Sequence, residues 1–165
     1  PGDRRSRERT AAAPPPPPPP PPHHHRIAIV ISRFNEKVTS GLLNGAKTEL
    51  AERGVTLAET DIFDVPGAFE APLVARKLAK SGNYDGIVCI GAVIKGETAH
   101  FEYISEAAAH GLMQVQLETG MPVSFGILTT YTAMQAFERS ADDEHNKGRE
   151  AAAACIEALE ALAKA

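Results

Sequence analysis

From residue 26 onward, short continuous apolar runs alternate with longer stretches in which apolar residues recur every three or four positions. The runs are rich in β-branched residues, as in Ile27-Ala-Ile-Val-Ile31, and such runs are typical of strands buried on both faces of a parallel sheet. The longer stretches have the spacing of amphipathic helices. The pattern predicts strands at residues 26–32, within 55–65, at 84–93 and at 122–128, and helices at 37–53, 68–80, 99–119, 132–139 and 146–163.

This order of elements predicts an α/β fold. Strict alternation of strand and helix leads to a parallel sheet with right-handed crossovers and helices on both faces. We therefore expect one three-layer α/β/α domain around a four-stranded parallel sheet, spanning residues 26–165. Ligands of such sheets bind beyond the carboxyl ends of the strands, where the strand order reverses. The segments directly after the strands are therefore the place to look for binding residues.

Residues 1–25 differ in composition from the rest of the chain. Nine prolines occupy residues 14–22, three histidines follow them, and four arginines precede them. A proline run favours an extended polyproline II rod, and nothing in the segment can bury an apolar face. We expect a disordered tail, native or added for expression, with a ligand for a proline-recognising domain as the alternative. Three consecutive histidines give no preorganised geometry, so no metal site is expected there.

Charge and composition exclude several classes of function. The chain holds 17 Lys+Arg and 21 Asp+Glu, of which residues 27–165 carry 12 and 19. An acidic domain without a basic stripe argues against nucleic-acid binding. No apolar run in the sequence is long enough to span a bilayer, so no membrane partner is expected. Cys89 and Cys155 form no CxxC pair and no disulfide framework, which favours a reducing, cytoplasmic location.

The segment after the third predicted strand, residues 91–100, suggests a phosphate cradle beside a proton-transfer group. Gly91 and Gly96 lie between a strand and a helix, where backbone N–H groups attract anions. A nucleotide P-loop needs lysine after its second glycine, but Glu97 stands there, so a smaller phosphate ester fits better. A tight turn without a ligand is the alternative. His100, in the first turn of the next helix, exchanges protons near neutral pH, as general acid–base catalysis requires.

Three further segments place suitable side chains near the same end of the predicted sheet. Phe34 offers an aromatic face to a flat heterocycle, or else it is a core phenylalanine. After the turn at residues 66–68, Phe69 and Glu70 lie at a helix N-terminus, where Glu70 accepts hydrogen bonds from hydroxyls or complements the helix dipole. Arg139 ends a later helix, where it binds phosphate bidentately or serves as a dipole partner.

Together these segments closely resemble the lumazine synthase family of riboflavin biosynthesis. The resemblance covers about residues 26–163. The motifs that carry it stand in family order and at family spacing: Ser32-Arg-Phe-Asn35, Asp64-Val-Pro-Gly-Ala-Phe-Glu70, Gly91-Ala-Val-Ile-Lys-Gly-Glu-Thr-Ala-His100, Pro122-Val-Ser-Phe-Gly-Ile-Leu-Thr-Thr130 and Asn146-Lys-Gly148.

The resemblance implies a flavodoxin-like sheet and an enzyme that needs no cofactor. The family condenses 5-amino-6-ribitylamino-uracil with 3,4-dihydroxy-2-butanone 4-phosphate to 6,7-dimethyl-8-ribityllumazine, and it releases phosphate and water. Family members are pentamers with active sites between adjacent subunits, and some assemble twelve pentamers into an icosahedral shell. A homo-oligomer is therefore expected, without a prediction of pentamer or 60-subunit shell.

The resemblance also implies a role for particular side chains. His100 would be the catalytic proton shuttle. Phe34 would stack on the pyrimidine, and the backbone of Val93 and Ile94 would face it. The ribityl site would be lined by Ala68, Phe69 and Glu70, and the phosphate cradle would be formed by Gly96, Glu97 and Thr98. A neighbouring subunit would contribute Phe125 and Lys147 to the pyrimidine and ribityl site and Arg139 to the phosphate.

Two departures from the family pattern lie close to these residues. Asp142, Asp143 and Glu144 stand where small residues are common, and we expect this acidic cluster to face solvent. Lys95 stands where arginine is common, which matters only if that side chain makes a forked contact. Two other functions fit the same fold: a non-catalytic binder of riboflavin or a flavin, and a scaffold whose shell, not its chemistry, matters.

Overall fold

The computed structural model describes residues 24–165, so the expectations for the tail lie almost wholly outside the described residues. Strands and helices alternate along the described chain. The strands are β1 (Ile27–Ser32), β2 (Ile62–Val65), β3 (Gly86–Ile94) and β4 (Val123–Thr130), and the helices are α1 (Glu36–Glu52), α2 (Ala71–Lys80), α3 (His100–Thr119), α4 (Ala133–Ser140) and α5 (Lys147–Lys164). Short 3₁₀ helices at Glu59–Asp61 and Ala68–Glu70 precede β2 and α2.

The four strands form one parallel sheet in the order β2-β1-β3-β4. This confirms the predicted α/β fold with a four-stranded parallel sheet. The chain runs from β1 to β2 on one side and from β3 to β4 on the other, so the strand order reverses between β1 and β3. Their carboxyl ends therefore frame the crevice where ligands of such sheets bind.

Two apolar layers cover the sheet, one on each face. Residues of β1 alternate between them: Ile27, Ile29 and Ile31 pack with α1, α4 and α5, whereas Ala28 and Val30 pack with α2 and α3. Because both faces are covered, the two central strands, β1 and β3, are nearly continuous apolar runs without polar alternation. Among the described helices, none has the length and apolar character needed to cross a membrane.

Both cysteines belong to these apolar layers. Cys89 and Cys155 are fully buried and unpaired. Burial raises the pKa of the Cys155 thiol to about 12, and it raises the pKa of the Cys89 thiol as well. Since the thiolate is the reactive form, neither cysteine is suited to nucleophilic chemistry.

A buried carboxylate, Asp61, ties the strands together at their amino-terminal edge. Its oxygens accept hydrogen bonds from the Tyr84 hydroxyl at 3.0 Å, the Ala58 N–H at 3.0 Å and the Arg26 guanidinium at 3.4 Å. Burial by itself would raise the pKa of Asp61, but the three donors outweigh it and hold the pKa below its ordinary value.

We expect Asp61→Asn to lower the free energy of unfolding near neutral pH by roughly 1–2 kcal/mol, because hydrogen bonds to a neutral amide are weaker than those to a carboxylate. The folded-state pKa lies below the unfolded-state pKa. The ionised group therefore stabilises the fold above the unfolded-state value, and this contribution is lost as the pH falls through the folded-state value. Urea unfolding between about pH 7 and pH 3 should show the difference between the two proteins shrinking toward acid. The exposed Asp142→Asn is the control, and a difference independent of pH would contradict the interpretation.

Candidate active site

A cavity of about 480 Å³ opens at the carboxyl ends of β1, β2 and β3, where the strand order reverses. Three strand-to-helix connections meet there, as the fold class predicts. Nine residues singled out from the sequence line the cavity: Phe34, Ala68, Phe69, Glu70, Val93, Ile94, Gly96, Thr98 and His100.

The turn after β1 presents Phe34 at the rim of this cavity. Asn35 adopts a left-handed conformation with φ 59°, which asparagine tolerates better than most residues. Its side-chain amide donates a hydrogen bond to the Ala92 carbonyl of β3 at 2.9 Å, so the turn is fixed to the neighbouring strand. Phe34 is 70% exposed, which rules out a core role and leaves its ring free to stack on a ligand.

The connection after β2 supplies an aromatic ring and a carboxylate. Pro66 and Gly67 end the strand, and the 3₁₀ helix Ala68–Glu70 turns the chain into α2. Phe69 is 61% exposed, whereas Glu70 is half-buried and its Oε2 lies 3.5 Å from where a Cβ on Gly67 would stand. The carboxylate thus folds back over the turn at the cavity wall, where it can accept hydrogen bonds from hydroxyl groups.

The connection after β3 places an imidazole beside a short polar loop. His100 is exposed as the first residue of α3, and its backbone N–H donates to the Thr98 hydroxyl at 3.4 Å. The first N–H groups of a helix lack intrahelical partners and attract anions. Gly96 and Thr98 line the cavity, but Glu97 of the same loop does not. The loop can therefore present backbone donors and a hydroxyl next to a proton-transfer group.

The residues that line this cavity include no lysine and no arginine. Lys95, the cation of the β3–α3 connection, lies outside the lining; its Nζ is 3.8 Å from a Glu102 oxygen and 5.6 Å from the centre of the Tyr131 ring. Within residues 24–165, the cavity thus combines aromatic, carboxylate and imidazole groups without a fixed positive charge for a phosphate ester.

The three residues expected to act from a neighbouring subunit lie together in a second cavity. Phe125, Arg139 and Lys147 line a space of about 340 Å³ along β4 and the N-terminal part of α5. The Arg139 guanidinium donates to the Gln135 carbonyl at 3.1 Å, and Lys147 Nζ lies 2.7 Å from Glu150. In the described part of the chain, the two cavities have no lining residue in common. One subunit therefore holds the predicted site residues as two separate groups.

The acidic residues 142–144 are exposed, as expected, and none of them lines the second cavity. One Asp143 oxygen accepts the His145 backbone N–H at 2.8 Å, which shapes the turn between α4 and α5. Across residues 24–165, no group of three or more histidine, cysteine, aspartate or glutamate side chains is arranged to hold a metal ion.

Sequence reasoning did not include several residues that the fold brings to the first cavity. Phe101 and Ile104 form part of its apolar wall. Their spacing matches that of Ala108 and Leu112 on the buried face of α3. The sequence signal for them is therefore helix periodicity, which does not distinguish a residue of the cavity wall from a residue of the core. The third such residue is Ala92 of β3.

Comparison with known proteins agrees with the motifs and the geometry. A family model described as 6,7-dimethyl-8-ribityllumazine synthase matches residues 24–163. The chain belongs to the lumazine synthase family. The match includes every element of the sheet and both cavities, and it leaves residues 1–23 uncovered.

Individual lumazine synthases are similar over nearly the same region. The 6,7-dimethyl-8-ribityllumazine synthase 1 of Caulobacter vibrioides is 58% identical over 137 residues, covering 83% of this chain and 90% of that protein. The 6,7-dimethyl-8-ribityllumazine synthase of Protochlamydia amoebophila is 50% identical, covering 82% and 78%. That of Salinibacter ruber is 49% identical, covering 80% and 85%.

Proposed function

We propose that this lumazine synthase family member condenses 5-amino-6-ribitylamino-uracil with 3,4-dihydroxy-2-butanone 4-phosphate to 6,7-dimethyl-8-ribityllumazine, releasing phosphate and water. The observation that carries the proposal is the first cavity. Three strand ends bring Phe34, Glu70 and His100 to one space of about 480 Å³, and these groups suit a flat ring, a polyhydroxylated chain and proton transfer.

The residues of the first cavity divide the work between the two substrates. The Phe34 ring stacks on the pyrimidine, and backbone groups of Val93 and Ile94 bond to its edge. The ribityl chain lies along Ala68, Phe69 and Glu70, with the carboxylate accepting hydrogen bonds from its hydroxyls. Apart from proton transfer, most of the rate acceleration comes from holding the two substrates in one orientation, which lowers the barrier by up to roughly 7–11 kcal/mol.

His100 moves the protons that the reaction requires. The substrate amine attacks the ketone to give a carbinolamine, whose loss of water to an imine needs a proton delivered to the departing hydroxyl. Departure of phosphate and closure of the second ring need further proton transfers at neighbouring atoms. The backbone of residues 96–98 and the Thr98 hydroxyl face the phosphate, and Glu97 contributes through its N–H only.

The phosphate needs a positive charge that the first cavity does not supply. Arg139 offers such a charge from a surface that also carries Phe125 and Lys147, the residues expected to contact the pyrimidine and ribityl groups. Their position in a separate cavity supports a site completed by a second copy of the chain, in which the Arg139 guanidinium contacts the phosphate bound beside His100. We therefore propose that each active site lies between adjacent subunits of a closed ring, a pentamer, and that the ring is the smallest active form.

The same proposal includes a cytoplasmic location and a pentameric ring that stands either alone or as one of the twelve rings of a shell. Residues 1–25 form a separate tail and residues 26–165 the enzymatic domain. Light scattering measures the particle mass and distinguishes a ring from a 60-subunit shell. The two unpaired, buried cysteines are compatible with a reducing compartment.

A shared site predicts that two impaired variants restore activity when they assemble together. His100→Ala and Arg139→Ala subunits, co-expressed in equal amounts, should place an intact His100 opposite an intact Arg139 in about a quarter of the sites. At a concentration of the phosphate substrate well below the KM of the Arg139→Ala variant, turnover should rise well above the mean of the two separate variants. Wild type co-expressed with the double variant is the reference, and a mixture that only matches the mean would place each site within one subunit.

The enzymatic and the binding functions differ in a direct assay. Mixing both substrates with the purified protein should give equal amounts of the lumazine product, measured by its absorbance, and inorganic phosphate. Binding of riboflavin without either product would indicate the non-catalytic alternative.

A protein lacking residues 1–25 should keep both its particle mass and its activity, whereas loss of either would give the tail a role in a scaffold.

A further inference from the structure

The second cavity depends on how two helix ends meet. Arg139 lies in the last turn of α4 and Lys147 is the first residue of α5, with the turn of residues 141–146 between them. Both side chains are about two-fifths exposed, so neither is held in place by burial. Arg139 donates to the Gln135 carbonyl of α4, and Lys147 Nζ lies 2.7 Å from Glu150 of α5. Because each contact lies within the side chain's own helix, the position of each cation follows that of the helix end that carries it.

One buried side chain joins these helix ends. Asn146 is 1% exposed. Its amide nitrogen donates to the Ser140 carbonyl at 3.2 Å and the Ala141 carbonyl at 2.9 Å, at the end of α4. Its amide oxygen accepts the backbone N–H groups of Gly148 at 2.8 Å and Arg149 at 3.2 Å, at the start of α5. The same amide thus satisfies the last carbonyls of one helix and the first donors of the next.

A third helix fixes this amide in space. The Asn146 nitrogen also lies 3.1 Å from the Gly41 carbonyl of α1. A Cβ on Gly45 would overlap the Asn146 amide, and a Cβ on Gly148 would overlap the Leu42 carbonyl. Glycine at these positions lets α1 and α5 approach at backbone distance, so the junction of the three helices has little freedom to shift.

We propose that Asn146 is a positioning residue for phosphate binding: its side-chain amide, by joining the ends of α4 and α5 to α1, holds Arg139 at the position that the phosphate substrate needs. The inference rests on the proposed function. Asn146 itself lines neither cavity in the described chain, so it acts through Arg139 and not through contact with substrate.

Two substitutions separate this role from helix capping. Asn146→Ala removes all five of these polar contacts. Asn146→Ser keeps an oxygen that caps the N-terminus of α5 but is too short to donate to the carbonyls of α4 and α1. Both variants should raise the KM for 3,4-dihydroxy-2-butanone 4-phosphate by about 10-fold or more, since small displacements of binding groups have large effects. The KM for the pyrimidine should change by less than about 3-fold, because Phe34 and Glu70 lie in the other cavity.

Leu50→Ala is the matched control. Leu50 is fully buried in the layer that contains α1 and α5, so its truncation lowers the melting temperature without touching the junction. It should leave the ratio of the two KM values unchanged. If the Asn146 variants lower only the melting temperature, or change both KM values equally, the positioning role is wrong.

Arg139→Ala tests the proposed function in the same experiment. Like the Asn146 variants, it should raise the KM for the phosphate substrate much more than the KM for the pyrimidine. If it does and the Asn146 variants do not, only the positioning role fails; if Arg139→Ala shows no imbalance, the phosphate assignment fails and the positioning role fails with it. Should Asn146→Ala not fold, Asn146→Ser decides the question alone, because the α5 cap is retained.

Discussion

His100→Ala should lower kcat by about 10²–10⁴-fold, the usual contribution of a general acid–base group. Both KM values should change little, because the imidazole acts on departing water and on ring closure, whereas stacking and hydrogen bonding hold the substrates. His100 lies exposed at the first turn of α3 and lines the cavity between β1 and β3. Steady-state kinetics with each substrate varied in turn measures the effect.

His110→Ala is the control for this experiment. His110 is an exposed residue of the same helix and lines neither cavity of the described chain. It should retain wild-type turnover and particle mass. Full turnover by His100→Ala, in contrast, would remove the imidazole from the mechanism and leave the proton transfers to solvent.

Arg139→Ala should raise the KM for the phosphate substrate by about 10- to 150-fold, the equivalent of losing one charge-assisted contact. The KM for the pyrimidine should stay within a factor of about 3, since the ring is bound in the other cavity. Arg139→Lys should recover part of the loss, because lysine keeps the charge but not the forked geometry.

Arg149→Ala controls for the loss of a positive charge. Arg149 lies near the start of α5 but contacts Glu49 and Glu52 of α1, and it lines neither the first nor the second cavity of the described chain. It should leave both KM values unchanged. Equal effects of Arg139→Ala on the two substrates would contradict a phosphate contact.

The boundaries of the strands show where sequence patterns are weakest. The periodicity predicted the third strand to end at residue 93 and the fourth at 128, but β3 ends at Ile94 and β4 at Thr130. The two strands pair up to Ile94 and Thr130, so a backbone partner extends each strand beyond its apolar run. Similarly, the helix predicted from residue 68 begins as a 3₁₀ turn, and α2 starts at Ala71.

The amino-acid sequence by itself determined the order of the elements and the fold class. Continuous apolar strands and helices with one apolar face can bury their surfaces only as a covered parallel sheet, and ligands then bind where the strand order reverses. Local patterns thus sufficed to locate the segments of the first cavity, including Phe34, Glu70 and His100.

Only the tertiary structure decided how the site residues are distributed. In the sequence, Arg139 and Lys147 come after the fourth strand, just as His100 comes after the third. The fold nevertheless places Arg139 and Lys147 in a second cavity on β4 and α5. The bonds that fix both regions join distant residues, Asn35 to Ala92 and Asn146 to Gly41. Such contacts depend on how helices pack against the sheet and against each other. The local spacing of apolar residues predicts helices and strands, but it does not predict which distant residues come into contact.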